Sequence, residues 1–205
     1  STVKDLEGKK IGTTLGTNAN FLTELLLEKA GVKATIVNVA PPDVVPALAR
    51  GDVDAGVMFP DFYPKAAQVL GESYREQISK DYTAWFVVSA SPKMLTERQE
   101  DLKKFLGALV KADKTIASDP DAAQKAVVEA MKGAFTLEQV KKQWPAFEYG
   151  AVGLDKALLD LMVAEGKWVA KKGLIKDAKT SEAAFRAYMA DGPMRAVAPE
   201  RVALP

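Results

Sequence analysis

An α/β fold built on an open sheet, continued by a helical carboxyl-terminal part, is predicted by three observations. Short β-branched runs alternate with amphipathic runs early in the chain, Gly, Asn and Pro punctuate them, and beyond Ser91 apolar residues recur at helical spacing. The 205 residues are 48% hydrophobic and 27% charged, ordinary usage for a globular chain. Twenty-eight basic residues face 27 acidic ones with no basic block, so nucleic acid is not an expected partner. Neither Cys nor His occurs, which removes thiol nucleophiles, disulfides, His-based triads and the usual zinc and copper ligand sets. No metal site and no cofactor are expected. No run approaches the roughly 18 apolar residues of a membrane-spanning helix.

Residues 9–14 read as a first strand and residues 20–30 as a helix with Phe21, Leu22, Leu25, Leu26 and Ala30 on one buried face. Gly31 stops that helix, and residues 34–39 form a second, β-branched strand. Pro41, Pro42 and Asp43 open a second helix with Val44, Val45, Leu48 and Ala49 inward, ending at Arg50 and Gly51. Residues 53–59 make a third strand. Crossovers in such β-α-β-α-β chains are right-handed, so the predicted strand order is 2-1-3. Ligands of open α/β sheets sit outside the carboxyl ends of the strands where that order reverses.

Two loops fall there. One is the turn with Gly12, Gly16, Thr17, Asn18, Ala19 and Asn20, where a helix start offers unpaired N–H groups to an anion. A plain N-cap by Thr17 or Asn18 accounts for the same residue types. The turn carries neither the Gly-Lys-Ser/Thr of a Walker loop nor the three-glycine dinucleotide fingerprint. The other loop holds Phe59, Pro60, Asp61, Phe62 and Tyr63, whose aromatic rings suit either a ligand or the core.

Beyond this, residues 82–88 read as an apolar strand, and Thr96-Glu97-Arg98-Gln99 as a capping box opening a helix with Leu102, Phe105, Leu106, Leu109 and Val110 inward. Ser118 to Asp121 separates it from the next helix, Thr136 to Gln139 is a second capping box, and Trp144-Pro145 ends that helix. Residues 147–150 look extended, residues 154–172 form a long helix capped by Gly173, and a short helix follows Ser181. The predicted organisation is an α/β lobe over 1–83, a strand and helical part over 84–191, and an irregular surface tail over 192–205. Catalysis without His or Cys would need a Ser-Lys pair or paired carboxylates, and Ser89, Ser91, Lys93, Asp52, Asp54 and Asp61 specify neither geometry, so no catalytic residue is assigned.

The run Asp5-Leu6-Glu7-Gly8-Lys9-Lys10-Ile11-Gly12, then Leu15-Gly16-Thr17-Asn18-Ala19, then Ala47-Leu48-Ala49-Arg50-Gly51-Asp52-Val53-Asp54-Ala55 resembles the substrate-binding proteins of ABC importers. The similar branch handles nitrate, taurine, aliphatic sulfonates and thiamine-pyrimidine-like or aromatic solutes. The resemblance implies a type II periplasmic-binding-protein-like lobe with an open mixed sheet, a solute held between two lobes that close on it, no cofactor, and a membrane permease as partner. It implies a periplasmic or extracytoplasmic place, with or without a lipid anchor. Carried onto this chain, the ligand residues are Gly16, Thr17, Asn18 and Ala19 for a polar head, with Phe59, Asp61 and Trp85 lining the cleft. Here the family's aromatic-acidic-proline triplet reads Phe59-Pro60-Asp61, with the last two exchanged and Phe in place of the frequent Trp. The family's first lobe opens with a stretch that has no counterpart here, so a second polypeptide is one expected source of it. Two alternatives accompany this reading: a sensing module of the same fold without a transporter, and an enzyme related to thiamine-pyrimidine synthesis, whose His and Cys residues are absent.

Overall fold

Ile11, Gly12 and Thr13 are buried because their strand, β1 (Lys10–Thr13), is the middle of a sheet. It lies between β2 (Thr35–Asn38) and β3 (Ala55–Gly56), giving the order β2-β1-β3 with both pairings parallel. The computed structural model that shows this describes residues 2–205. The predicted strand order is thus the observed one, and the folding class is the expected α/β one. The third strand is shorter than residues 53–59, since only Ala55 and Gly56 stand in the ladder and Val57 N–H adds one further bond, to Gly12 O at 3.0 Å.

Two helices connect these strands. Helix α1 (Asn18–Ala30) starts at Thr17, whose hydroxyl oxygen accepts from Asn20 N–H, and stops at Gly31 in the left-handed region, φ 67°. Its most buried residues are Ala19, Asn20, Thr23 and Leu27 rather than the predicted Phe21, Leu22, Leu25, Leu26 and Ala30, which are half-buried. The helix is covered on more than one side, so a single apolar stripe under-describes it. Helix α2 (Val44–Arg50) follows a 3-10 turn at Pro41–Asp43. After β3 the chain forms a 3-10 turn, Pro60–Phe62, and then α3 (Tyr63–Leu70), whose first residue closes the predicted aromatic loop. Val44, Val45, Met58 and Ala66 form the core here, flanked by Leu48, Phe62 and Tyr63.

Close approach of α2 to the sheet depends on Gly56. A Cβ there would stand 2.6 Å from Val44 Cγ1 and 3.1 Å from Leu48 Cδ1. Val44 is itself buried and stiff at χ1, so it cannot swing aside. We expect Gly56→Ala to cost about 1–3 kcal/mol through overpacking, read from urea unfolding, and an unchanged midpoint would contradict this packing.

The chain divides into two compact units, one of Ser1–Phe86 and Glu165–Ala178, the other of Val87–Ala164 and Lys179–Pro205. The second unit contains α4 (Pro92–Glu97), α5 (Gln99–Ser118), α6 (Pro120–Ala130), α7 (Leu137–Gln143) and β4 (Leu154–Asp155). Helix α8 (Lys156–Lys171) begins in that unit and ends in the first, and α9 (Glu182–Tyr188), α10 (Gly192–Val197) and β5 (Val202–Ala203) complete the second. Its core joins Val110 of α5 to Met194, Ala198 and Val202 near the carboxyl terminus.

Three expectations are corrected here. Residues 82–88 form no ladder and no strand; Phe86, Val87 and Val88 are exposed, and the antiparallel member that would make the sheet mixed is not formed among the described residues. Thr96 is not a cap, because Ser91 already caps a helix that Pro92 starts, and the Thr96 hydroxyl instead donates to Pro92 O. The tail from Gly192 is ordered: α10 packs Met194 into the core, and β5 pairs in parallel with β4 through Leu154 and Val202. Its three prolines obscured this, since Pro193 and Pro199 occupy first turns rather than breaking structure. The capping box at Thr136 and Gln139 forms as expected.

Candidate functional site

The carboxyl ends of β1 and β3 are neighbours in the sheet, and each leads into one of the two loops singled out in the sequence. Gly16 has φ +74°, a conformation that glycine takes without strain, and it turns the chain from β1 into α1. Side chains inside the turn are occupied. The Thr17 hydroxyl donates to Thr14 O at 2.7 Å, Asn38 Oδ1 accepts from Leu15 N–H, and Asn20 Oδ1 accepts from Gly16 N–H at 3.2 Å. Asn18 Oδ1 accepts from Ala19 N–H at 2.9 Å, and Ala19 is buried.

This satisfies most of the α1 start from within. Among the described residues the backbone N–H groups of Thr17 and Asn18 have no partner. They stand at the positive end of a 13-residue helix, and such a pair suits an anion's oxygens. The Thr17 side chain is thus the cap of α1, a role its residue type allows.

Phe59 is half-buried and precedes the Pro60–Phe62 turn, whereas Asp61 in that turn is exposed. Trp85 is half-buried in the extended segment after Asp81 and joins none of the aromatic pairs among the described residues. Residues 147–150 of the second unit carry Phe147 and Tyr149, with Tyr149 stacked on Trp144 at 4.4 Å.

Several neighbours of the α1 start were missed in the sequence. Buried Asn20 donates through Nδ2 to Glu24 Oε1 at 3.2 Å, and Glu24 Oε2 accepts from Trp168 Nε1 at 3.1 Å and pairs with Lys172 Nζ at 2.7 Å. Phe21 packs edge-on against Trp168 and tilted against Tyr82, both with centroids 5.5 Å away, and Tyr82 donates to Glu165 Oε1 at 2.6 Å. Burial and the Glu165 acceptor push the Tyr82 hydroxyl upward. The i,i+4 spacing of Asn20 and Glu24 was the one available signal. Their partners lie 144 and more residues away in sequence, beyond any local pattern.

Burial raises the Glu24 carboxyl, and the hydrogen bonds from Lys172 and Trp168 outweigh it, leaving the group below its ordinary value of 4.5. A folded-state value below the unfolded one gives stability that is present above about pH 4.5 and lost as pH falls through the depressed value. We expect the tryptophan emission of the wild type to show an acid transition below that pH that Glu24→Gln lacks. The same transition in the variant would exclude Glu24 as its source.

No helix is long and apolar enough to cross a membrane, and no group of three or more His, Cys, Asp or Glu gathers as a metal site, both among the described residues.

Over 182 residues the chain is 24% identical to proteins of Brucella abortus (strain 2308) and Brucella suis biovar 1 (strain 1330), each named "putative binding protein", covering 84% of this chain and 50% of each of them. It therefore spans about half the length of these relatives. Among solved structures it resembles the alkanesulfonate-binding protein SsuA from Xanthomonas axonopodis pv. citri bound to MOPS, with TM-score 0.65 and 19% identity over 100% of this chain and 65% of that one. It also resembles the periplasmic aliphatic sulphonate binding protein SsuA from Escherichia coli, with TM-score 0.66 and 17% identity over 90% of this chain and 60% of that one. These two likenesses establish a shared fold. Residues 1–123, which contain the sheet, the α1 start and the Phe59 loop, match the NMT1/THI5-like family, and the chain belongs to that family.

Proposed function

We propose that this chain is the solute-binding part of an extracytoplasmic receptor serving an ABC importer, and that its solute is a small organic anion of the sulfonate class. The observation that carries this reading is the pair of unpartnered N–H groups, Thr17 and Asn18, at the start of α1 beside the strand-order reversal. A sulfonate offers three oxygens at fixed negative charge to such donors, and taurine and nitrate present related oxyanion heads. Gly16 and Ala19 shape the turn, while Phe59, Asp61 and Trp85 are assigned to the rest of the solute, the two rings to its apolar part. Support comes from the family and from a fold shared with sulfonate-binding proteins. Binding without turnover suits a site whose polar side chains are spent on holding the turn. Every residue named lies in the first unit.

Calorimetric titration with butane-1-sulfonate and with the neutral butane-1-sulfonamide tests it. Hydrogen bonds to a charged group are worth about 1.5–3 kcal/mol, so the sulfonate should bind at least about tenfold more tightly. Equal affinities, or no binding of the sulfonate, would overturn the proposal.

A further inference from the structure

The segment that follows α8 returns to the first unit and lies against the turn at Gly16. Leu174 Cδ1 is 3.8 Å from the position a Cβ on Gly16 would take, so nothing but the glycine's own hydrogens separates this side chain from the turn. Leu174 nevertheless stays 50% exposed and Ile175 59% exposed, and Leu15, on the turn itself, is 48% exposed. Large apolar side chains scattered singly over a surface need no explanation, but two of these flank one glycine beside the open N–H groups of Thr17 and Asn18.

The segment is also held firmly. Gly173 N–H donates to Ala170 O at 3.0 Å and Leu174 N–H to Val169 O at 3.2 Å, closing the helix end with Gly173 at φ +68°. Glu24 then clasps Trp168 and Lys172, and through Asn20 it reaches the same Gly16 N–H that shapes the turn. One network thus fixes the polar end and its apolar neighbour relative to each other, as a binding site for an amphiphilic solute requires.

We propose that Leu174 is a specificity-determining residue, receiving the apolar tail of an anion whose head is bound at the start of α1. This rests on the function proposed above and adds to it the side from which the tail is read. Burying each methylene against Leu174 should improve affinity by about fourfold until the tail passes it, whereas a solute with no tail gains nothing.

The test titrates the wild-type chain and Leu174→Ser with methane-, ethane-, propane- and butane-1-sulfonate. The wild type should bind each longer member more tightly. Leu174→Ser should bind methanesulfonate within about twofold of wild type and lose most of the gain with length. Leu174→Met, which restores an apolar chain, should recover it. A gain with length that is the same in wild type and Leu174→Ser overturns this assignment while leaving the sulfonate reading intact. Failure of the wild type to bind any member overturns both.

Discussion

Asp113→Ala is expected to destabilise the second unit by about 3 kcal/mol, because it removes the buried carboxylate that pairs with a partly buried guanidinium. Asp113 is nearly fully buried within α5. Its Oδ2 pairs with Arg201 Nη1 at 2.6 Å, its Oδ1 accepts from Gly150 N–H at 2.7 Å, and Arg201 Nη1 also donates to Val152 O at 3.0 Å. Three distant stretches, α5, the loop before β4 and the turn before β5, are thereby tied at one carboxylate. The β4–β5 pair lies beside this tie, and Gly153 fits against it without a side chain, since a Cβ there would stand 2.5 Å from Arg201 O. Removing the carboxylate leaves the partly buried guanidinium with Val152 O as its remaining partner and takes the acceptor from the Gly150 N–H. Urea unfolding should show the loss, with a fall in Tm on the order of 10 °C. Replacing both partners together, Asp113→Leu with Arg201→Leu, should cost much less than Asp113→Ala alone, because the charge that needed an answer is gone. A cost below about 1 kcal/mol for Asp113→Ala would mean that the pair is solvated and that packing alone holds the tail.

Asn18→Pro should weaken sulfonate binding by about tenfold to a hundredfold while leaving the fold in place, the second large effect. Asn18 is the first residue of α1, a position where proline is well tolerated because its missing N–H has no helical partner anyway. Thr17 before it is extended, φ −107° and ψ 169°, the region a residue preceding proline favours. The substitution therefore removes one of the two open donors without disturbing the helix. Asn18→Ala, which keeps the N–H and loses only the side chain, separates the two contributions. If Asn18→Pro binds butane-1-sulfonate as tightly as the wild type, the anion is not held at the start of α1.

The strand order and the position of the α1 start were legible in the sequence because both rest on local pattern and a general topological rule. Gly31 and Gly51 ended helices where expected, and the second strand fell between them. What escaped was whatever depends on contacts distant in sequence. Trp168 and Lys172 reach Glu24, and Leu174 reaches the Gly16 turn, from in and just beyond a helix that starts in the other unit, and no spacing rule connects residue 24 to residue 168. The tail was misread for a different reason. Proline at the first turn of a helix and proline in an irregular segment look alike until the burial of Met194 and Ala198 is seen. Residues 82–88 carry strand-forming residue types, yet without a partner strand their backbone groups form no ladder and Phe86 lies 90% exposed. In the turn itself the residue types supported cap and ligand site alike. Only the hydrogen-bond pattern separated them, by showing that the side chains cap and that two backbone N–H groups remain open.

The most direct test of the central claim is a crystal structure of this chain grown with butane-1-sulfonate. Sulfonate oxygens should lie about 2.8–3.0 Å from the backbone nitrogens of Thr17 and Asn18, with the alkyl chain leaving the turn toward apolar side chains. A sulfonate bound elsewhere, with the N–H groups of Thr17 and Asn18 left to water, would contradict it.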